Sequence, residues 1–384
     1  MSRIVQVANF VAPSSGGLRT ALDRLAEGYS GHRYDVVQVI PGRSYTETPM
    51  AWGTRVTLRA SMVPGTGYRM FSGVNAVAPT LARFRPYRLE VHDRTTLRGL
   101  GEWANRRGVR ALVVSHERLD RLLGQWLPTW LPLTPAADHS NRALAAGFDT
   151  VVCTTAWAAE EFTRLGTPNL RRVPLGVDLA RFHPKAADPA LRATLAHPNE
   201  ALLVMASRLS REKRPELAIE AVRELHRRGR RVHLLVAGDG PLRLRLQERA
   251  AGLPVRLLGF VSDPQQIAAL LASADVVVAP GPVETFGLAA LEALASGTPV
   301  VANSASALPE VLGAAGRSAR GTAGDFADAI EAQLDAPPTE QRQAARAQAE
   351  RFPWSATVAG FLTAHAITPS TERRFDEQAG RRAR

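Results

Sequence analysis

Gly281 to Pro299 reads GPVETFGLAALEALASGTP. The apolar run at 276–279 leads into it and predicts a buried parallel strand that ends at Pro280. Residues 288–294 then predict a helix. Glu284 falls in the connecting loop and Glu292 about a turn and a half into the helix. The amides of Thr285, Phe286, Gly287 and Leu288 lie near the helix start. Unpaired backbone donors and the positive dipole end favour an anion there. Gly287 lets the backbone come close to a ligand. Two carboxylates flanking an anion site suit one elongated ligand with hydroxyls at both ends, the pattern of a nucleotide sugar. On the two glutamates alone, the plainer reading stays open: two solvated acids beside a connecting turn.

Around this stretch the second half of the chain alternates strands and helices. Strands are expected at 202–206, 232–237, 255–258, 276–279 and 300–302, with helices at 215–227, 242–251, 264–272 and 288–295. The first half repeats the pattern, with strands at 4–8, 35–40, 56–58, 89–92, 111–115 and 150–154 and a helix from 18 to about 29. Such alternation predicts parallel sheets covered on both faces. The expected organisation is two doubly wound α/β domains, 1–172 and 173–353, then a helix over 354–368 and a disordered, arginine-rich tail over 369–384.

The composition is that of a globular protein, with 45% apolar and 22% charged residues. No apolar run approaches the ~20 residues of a membrane-spanning helix. MSRIVQVANF passes directly into strand-like alternation, without a signal-peptide pattern. Cys153 is the single cysteine and lies in an apolar run, so it reads as an inert buried residue. A cytoplasmic location is expected. Of the net charge of +12, residues 1–175 carry +9, from 22 Arg and no Lys against 13 Asp and Glu. That excess points to an anionic partner, such as a membrane face or an acidic lipid. No zinc spacing, basic aromatic stripe or helix-turn-helix pattern supports nucleic acid as that partner.

Several further residues could carry chemistry. Arg208 and Lys213 sit five apart on a strand-to-helix loop, and Lys213 is one of only two lysines against 46 arginines. A forked guanidinium and a compact ammonium can converge on two phosphates. Gly16 and Gly17 open the first helix and let amides approach a phosphate or sugar, though any tight turn favours glycine. His116 closes the strand at 111–115, at the carboxyl end where α/β sheets bind ligands. A strand-capping histidine is the alternative there. Phe260 follows the strand at 255–258, with core as one reading of its side chain. Asp93 and Arg94, at another strand end of the first half, are suggested by position alone as acceptor contacts.

Read together, these motifs resemble glycosyltransferase family 4 on the GT-B fold. The resemblance spans residues 1–366 and rests on SGGLRTA, SHERLDR, VCTT, VPLGVD, RLSREK, GDGP and VAPGPVETFGLAALE in this order. Its nearest likeness is to actinobacterial mannosyltransferases of the phosphatidylinositol-mannoside type. Ser207 and Arg214 stand where the family commonly has glycine, and Ser306-Ala307 replace its usual Gly-Gly. The resemblance implies two Rossmann-like domains facing across a cleft, with the last helix crossing back to the first domain. It implies a retaining, metal-independent hexosyltransferase that needs no cofactor and takes a nucleotide sugar, GDP-mannose, as donor. The implied acceptor is a glycolipid such as a phosphatidylinositol mannoside, met at the inner face of the plasma membrane. Catalysis falls to His116, Arg208, Lys213 and Glu284. Donor binding falls to Gly16, Gly17, Phe260, Thr285, Phe286, Gly287, Leu288 and Glu292. A sugar-nucleotide epimerase or hydrolase of the same fold, or a catalytically silent binding partner, are the competing readings.

Overall fold

A computed structural model describes residues 2–11, 16–63, 67–123 and 133–367. Ser15 and the segment 369–384, read above as a tail, lie outside the described residues. In chain order the strands are β1 (Arg3–Ala8), β2 (Asp35–Gly42), β3 (Thr46–Met50), β4 (Gly53–Arg59), β5 (Ser61–Met62), β6 (Arg69–Met70), β7 (Arg88–His92), β8 (Arg110–Ser115), β9 (Thr150–Cys153) and β10 (Leu170–Arg172). The second half supplies β11 (Ala201–Ala206), β12 (Val232–Ala237), β13 (Val255–Gly259), β14 (Val276–Ala279), β15 (Val300–Asn303) and β16 (Gly316–Ala319).

These strands build two sheets with helices on both faces. The first has the order β10-β9-β8-β7-β1-β2-β4-β3, and the second β13-β12-β11-β14-β15-β16. The second is parallel throughout. In the first, only the outermost strand β3 runs antiparallel. Runs of Val, Ile and Leu buried on both faces explain why the central strands are continuous apolar segments. β3 has the sequence TETPM and is mostly exposed, so no apolar alternation marks it in the sequence. β5, β6, β10, β16 and the helices Ala323–Leu334 and Pro338–Ala349 are likewise additions to the expected elements.

In each sheet the strand order reverses at one place, between β1 and β7 in the first and between β11 and β14 in the second. Connections on either side of such a reversal leave towards opposite faces and open a crevice at the strand ends. The loops after β11 and β14 contain Arg208, Lys213 and Glu284. The loop after β1 leads to Gly16 and Gly17.

The two halves are tied by the helix Trp354–Ala364. Val358, Phe361 and Leu362 join Ile4, Leu25 and Tyr29 of the first half in one buried cluster. Burying Phe361 and Leu362 contributes roughly 1.5–3 kcal/mol each. The approach is close: a Cβ on Gly28 would fall 2.3 Å from Val358 Cγ2. Thr150 Oγ1 donates to Ala364 O at 3.0 Å. Among the described residues, no helix is long and apolar enough to cross a membrane.

Candidate active site

The loop after β14 is held on both sides. Within the second half, the Lys213 ammonium forms an ion pair with the Glu284 carboxylate. Burial opposes the charge on Lys213, but Glu284 outweighs it and lifts the lysine pKa. Ala307 N–H donates to Glu284 O at 2.8 Å. Gly287 has φ +82°, and a Cβ there would lie 2.3 Å from Leu308 Cδ2, so the turn needs glycine. Phe286 is buried and packs edge-on against Phe352, with ring centroids 6.0 Å apart. Its side chain therefore anchors the loop.

Towards the first half, Thr285 spends both its side chain and its carbonyl. Thr285 Oγ1 donates to His116 O at 2.5 Å. Thr285 O accepts from Thr155 Oγ1 at 2.9 Å and from Thr154 Oγ1 at 3.4 Å. Glu310 adds a second tie. Its two carboxylate oxygens accept from Ala156 N–H at 2.9 Å and Trp157 N–H at 3.2 Å, capping the start of the helix Ala156–Thr163. An acid at a helix N-terminus also meets the positive end of the dipole. Gly17 lies against Leu288, with its virtual Cβ 3.5 Å from Leu288 Cδ1, whereas Gly16 faces open space.

Arg208 lies under the aromatic ring of Tyr68, 4.2 Å from its centroid. Tyr68 comes from the β5–β6 segment of the first half, so the stack crosses between the halves and is a cation–π contact. Tyr68 also lies close enough to Lys213 to help raise its pKa. Arg214 takes φ +46°, a left-handed conformation that accounts for the glycine common at this place in the resemblance.

Glu292 is half-buried on the helix Leu288–Ala295. Burial pushes its carboxyl up to about 8, only partly offset by Arg181, with Asp178 raising it further. Asp178 in turn pairs with Arg24 of the first half.

His116 is half-buried at the end of β8. Burial and the neighbouring His92 push its imidazole pKa down to about 3, against the pull of Glu90. His116 Nε2 lies 2.8 Å from His92 Nδ1.

The structure thus gathers Arg208, Lys213, Glu284, Thr285, Gly17, Leu288 and the His116 backbone at the facing strand ends. Phe260 sits in the exposed loop after β13 and is 52% exposed, which removes the core alternative for its side chain. Asp93 and Arg94 are both buried at the end of β7. Asp93 is buried and accepts from Asn9 Nδ2 at 2.6 Å, Thr95 N–H at 2.8 Å and Leu97 N–H at 3.3 Å. Arg94 is buried and donates to Ser115 Oγ, Glu117 O, Glu161 and Asn141. Buried polar groups find internal partners at both positions.

The sequence reading missed Tyr68, Thr154, Thr155 and the cross-domain role of Glu310. Thr154 and Thr155 were legible as polar residues closing the strand at 150–154. Tyr68 carried no signal, because its segment has neither strand period nor motif.

Both halves of the chain match known protein families. The model described as "Glycosyl transferase 4-like domain" matches residues 16–177, and "Glycosyl transferases group 1" matches 188–351. A GDP-mannose-dependent alpha-(1-6)-phosphatidylinositol dimannoside mannosyltransferase of Mycobacterium tuberculosis is 46% identical over 372 residues, covering 96% of this chain and 97% of the relative. Among solved structures, a sucrose-phosphate synthase from Thermosynechococcus elongatus superposes with a TM-score of 0.76 at 20% identity, covering 95% of this chain and 98% of the other. A UDP-forming alpha,alpha-trehalose-phosphate synthase from Burkholderia xenovorans gives 0.75 at 17% identity, covering 95% and 100%. With both halves matched in order and a relative alike over nearly its whole length, this chain belongs to the group 1, family 4 glycosyltransferases of the GT-B fold.

Proposed function

We propose that this enzyme transfers mannose from GDP-mannose to a phosphatidylinositol mannoside, with retention of configuration and without a metal ion. The mycobacterial relative is named as a GDP-mannose-dependent mannosyltransferase of phosphatidylinositol dimannoside, and donor and acceptor class are carried over from it. The observation that carries the proposed chemistry is the meeting of Lys213 and Glu284 at the β11/β14 reversal, beside a turn held open by Gly287.

In this reading the diphosphate lies at the amides of residues 285–288 and between Arg208 and Lys213. As the glycosidic bond breaks, negative charge gathers on the diphosphate, and the two cations stabilise it where it develops. Glu284 then turns to the donor sugar and Glu292 to the ribose hydroxyls. His116 steadies the sugar, and Phe260 offers its exposed ring to the base. Attack comes from the face the leaving group departs, in a site closed by the ties from Thr285 and Glu310. The excess of cations in residues 1–175 draws the enzyme to an anionic membrane surface, where its acceptor resides.

The test is incubation of purified protein with GDP-mannose and an actinobacterial lipid extract, read by mass spectrometry. The expected product is a phosphatidylinositol mannoside heavier by one hexose. Donor breakdown without a glycolipid product, or nucleotide binding without turnover, would overturn the reading.

A further inference from the structure

Tyr68 belongs to no motif and the proposed reaction gives it no task, yet its ring lies on one of the two cations proposed for the diphosphate. Arg208 Cζ is 4.2 Å from the centre of that ring. Gly67 beside it has φ +72°, and a Cβ there would lie 3.9 Å from Arg208 Nη2. The guanidinium comes from the loop after β11 and is backed by the β5–β6 segment of the first half. This contact holds the charge without cancelling it. A neutral ring face attracts a cation, whereas a carboxylate in its place would pair with the fork and take up its donors. Lys213 shows that other arrangement, in its ion pair with Glu284.

The ring is itself braced. Tyr68 packs edge-on against Phe10, which follows β1, with centroids 6.0 Å apart and planes at 86°. Tyr68 O accepts from Val63 N–H at 2.8 Å, next to the antiparallel pairs Ser61–Met70 and Met62–Arg69. Arg69 Nη1 donates to Ala60 O at 2.6 Å. Phe71 N–H donates to Asn9 Oδ1 at 2.9 Å, and Asn9 Nδ2 donates to Asp93 at 2.6 Å. Tyr68 therefore stands on the ends of β1 and β7, the two strands between which the first sheet reverses. Arg208, by contrast, is a long side chain with many rotamers, and its effect on rate depends on its fork meeting the leaving diphosphate in one geometry.

We infer that Tyr68 is a positioning residue for the transfer reaction: its ring holds the Arg208 guanidinium facing the diphosphate, so that the first domain completes the cation site of the second. The inference rests on the proposed placement of Arg208 at the diphosphate. Tyr68 acts through Arg208 and touches no reacting atom. Cleavage of the glycosidic bond is then fully assisted only while the first domain is in place against the second.

The experiment is a double-mutant cycle on the full-length enzyme, with GDP release from GDP-mannose and mannolipid formation measured in the same reactions. Tyr68→Leu keeps apolar bulk against Phe10 and removes the ring face. It is expected to lower kcat ~10-fold, the loss of a cation–π contact, with the KM for GDP-mannose within about twofold. Tyr68→Phe restores the ring face and is expected to recover kcat to within about twofold of wild type. In an Arg208→Gln background, Tyr68→Leu should change kcat by less than about twofold, because the group it acts through is gone. Three results each overturn the inference: wild-type kcat in Tyr68→Leu, a Tyr68→Phe enzyme as slow as Tyr68→Leu, or equal losses from Tyr68→Leu in both backgrounds. If Tyr68→Leu does not fold, phenylalanines with increasing numbers of fluorines at position 68 decide. Each fluorine weakens the ring face at nearly constant size, so kcat should fall along the series, and a constant kcat overturns the inference. GDP release without mannolipid would fail the functional proposal, while the same cycle, read on GDP release, still tests Tyr68. No turnover at all by the wild-type enzyme overturns both.

Discussion

The Lys213 ammonium and the Glu284 carboxylate close an ion pair over the reversal point of the second sheet, joining the loops after β11 and β14. Each side chain is about a quarter exposed, at 28% and 26%. The pair is therefore screened in part, and its net contribution to folding is about 1 kcal/mol or less. Its chemical consequence is larger, because Lys213 stays cationic and placed for a second anion. Lys213→Ala is expected to lower kcat by ~100–1000-fold, the usual effect of removing one electrostatic contact to a developing charge. Thermal unfolding should barely move. An alanine variant with wild-type transfer rates would remove Lys213 from the mechanism.

At Glu292 the proposed donor site carries a group whose charge changes near neutral pH. Its carboxyl sits at about 8 in the folded chain, against 4.5 as an ordinary value. The folded protein thus holds a proton there that the unfolded chain releases. The associated stability is complete below the ordinary value and is lost as pH rises through about 8. Glu292→Gln, neutral at every pH, should gain thermal stability relative to wild type as pH rises from 4.5 to about 8 and keep that gain above it. If the ribose hydroxyls donate to the carboxylate, binding GDP near neutral pH expels the proton. Calorimetry in buffers of different ionisation heat should then give different apparent enthalpies, and the difference should vanish in Glu292→Gln. Identical enthalpies for the wild-type protein would count against Glu292 as the ribose ligand.

The turn at Gly287 tests the geometry of the proposed anion site. With φ +82° and only 2.3 Å between a virtual Cβ and Leu308 Cδ2, alanine is excluded both by conformation and by space. Backbone strain of this kind costs ~1–3 kcal/mol. Gly287→Ala should fold with a lowered melting temperature and bind GDP weakly. Unchanged GDP affinity would show that the amides beside it do not hold the diphosphate.

How much of this was legible beforehand follows from what leaves a periodic or chemical trace. The strands β11, β12 and β14 are apolar runs closed by Gly, Pro or Ser, and each was readable from residues alone. The glutamates of ETFGLAALE, and Arg208 with Lys213, were readable only as candidates, from residue types and spacing that suit one elongated ligand. β3 was not, since an exposed edge strand needs no apolar face. The internal partners of Asp93 and Arg94 were not legible, because a strand-end position does not reveal whether a polar group is already satisfied. The contact between His92 and His116 was invisible for a different reason. His92 ends β7, but the partner strand that brings His116 beside it is fixed only by the sheet order.

The charge asymmetry predicts a salt-dependent association with membranes. Vesicles containing anionic phospholipid should bind the enzyme at low ionic strength and release it as salt is raised, because exposed charges are screened beyond about 8 Å at physiological ionic strength. Vesicles of neutral lipid should not retain it. Sedimentation with both kinds of vesicle across a salt series measures this, and binding that ignores both lipid charge and salt would rule out the arginine-rich first half as its cause.

Glu310 separates binding of the donor from its transfer. Its carboxylate belongs to the second half, yet both oxygens cap a helix of the first, at Ala156 and Trp157. The donor loop itself keeps its shape through Lys213, Ala307 and Gly287, none of which depends on this tie. Glu310→Ala leaves two helix-start amides to water, a cost of ~0.5–2 kcal/mol. The larger effect concerns alignment, since misplacing reacting groups by about 1 Å can cost ~100-fold in rate. Glu310→Ala is therefore expected to bind GDP with wild-type affinity while kcat falls by ~10–100-fold. Glu310→Gln, which retains one accepting oxygen, should fall between the two. Titration calorimetry and steady-state kinetics on the same preparations distinguish the outcomes. A parallel loss of GDP affinity in Glu310→Ala would mean that the donor site is itself assembled by the contact between the halves, and that closure precedes binding.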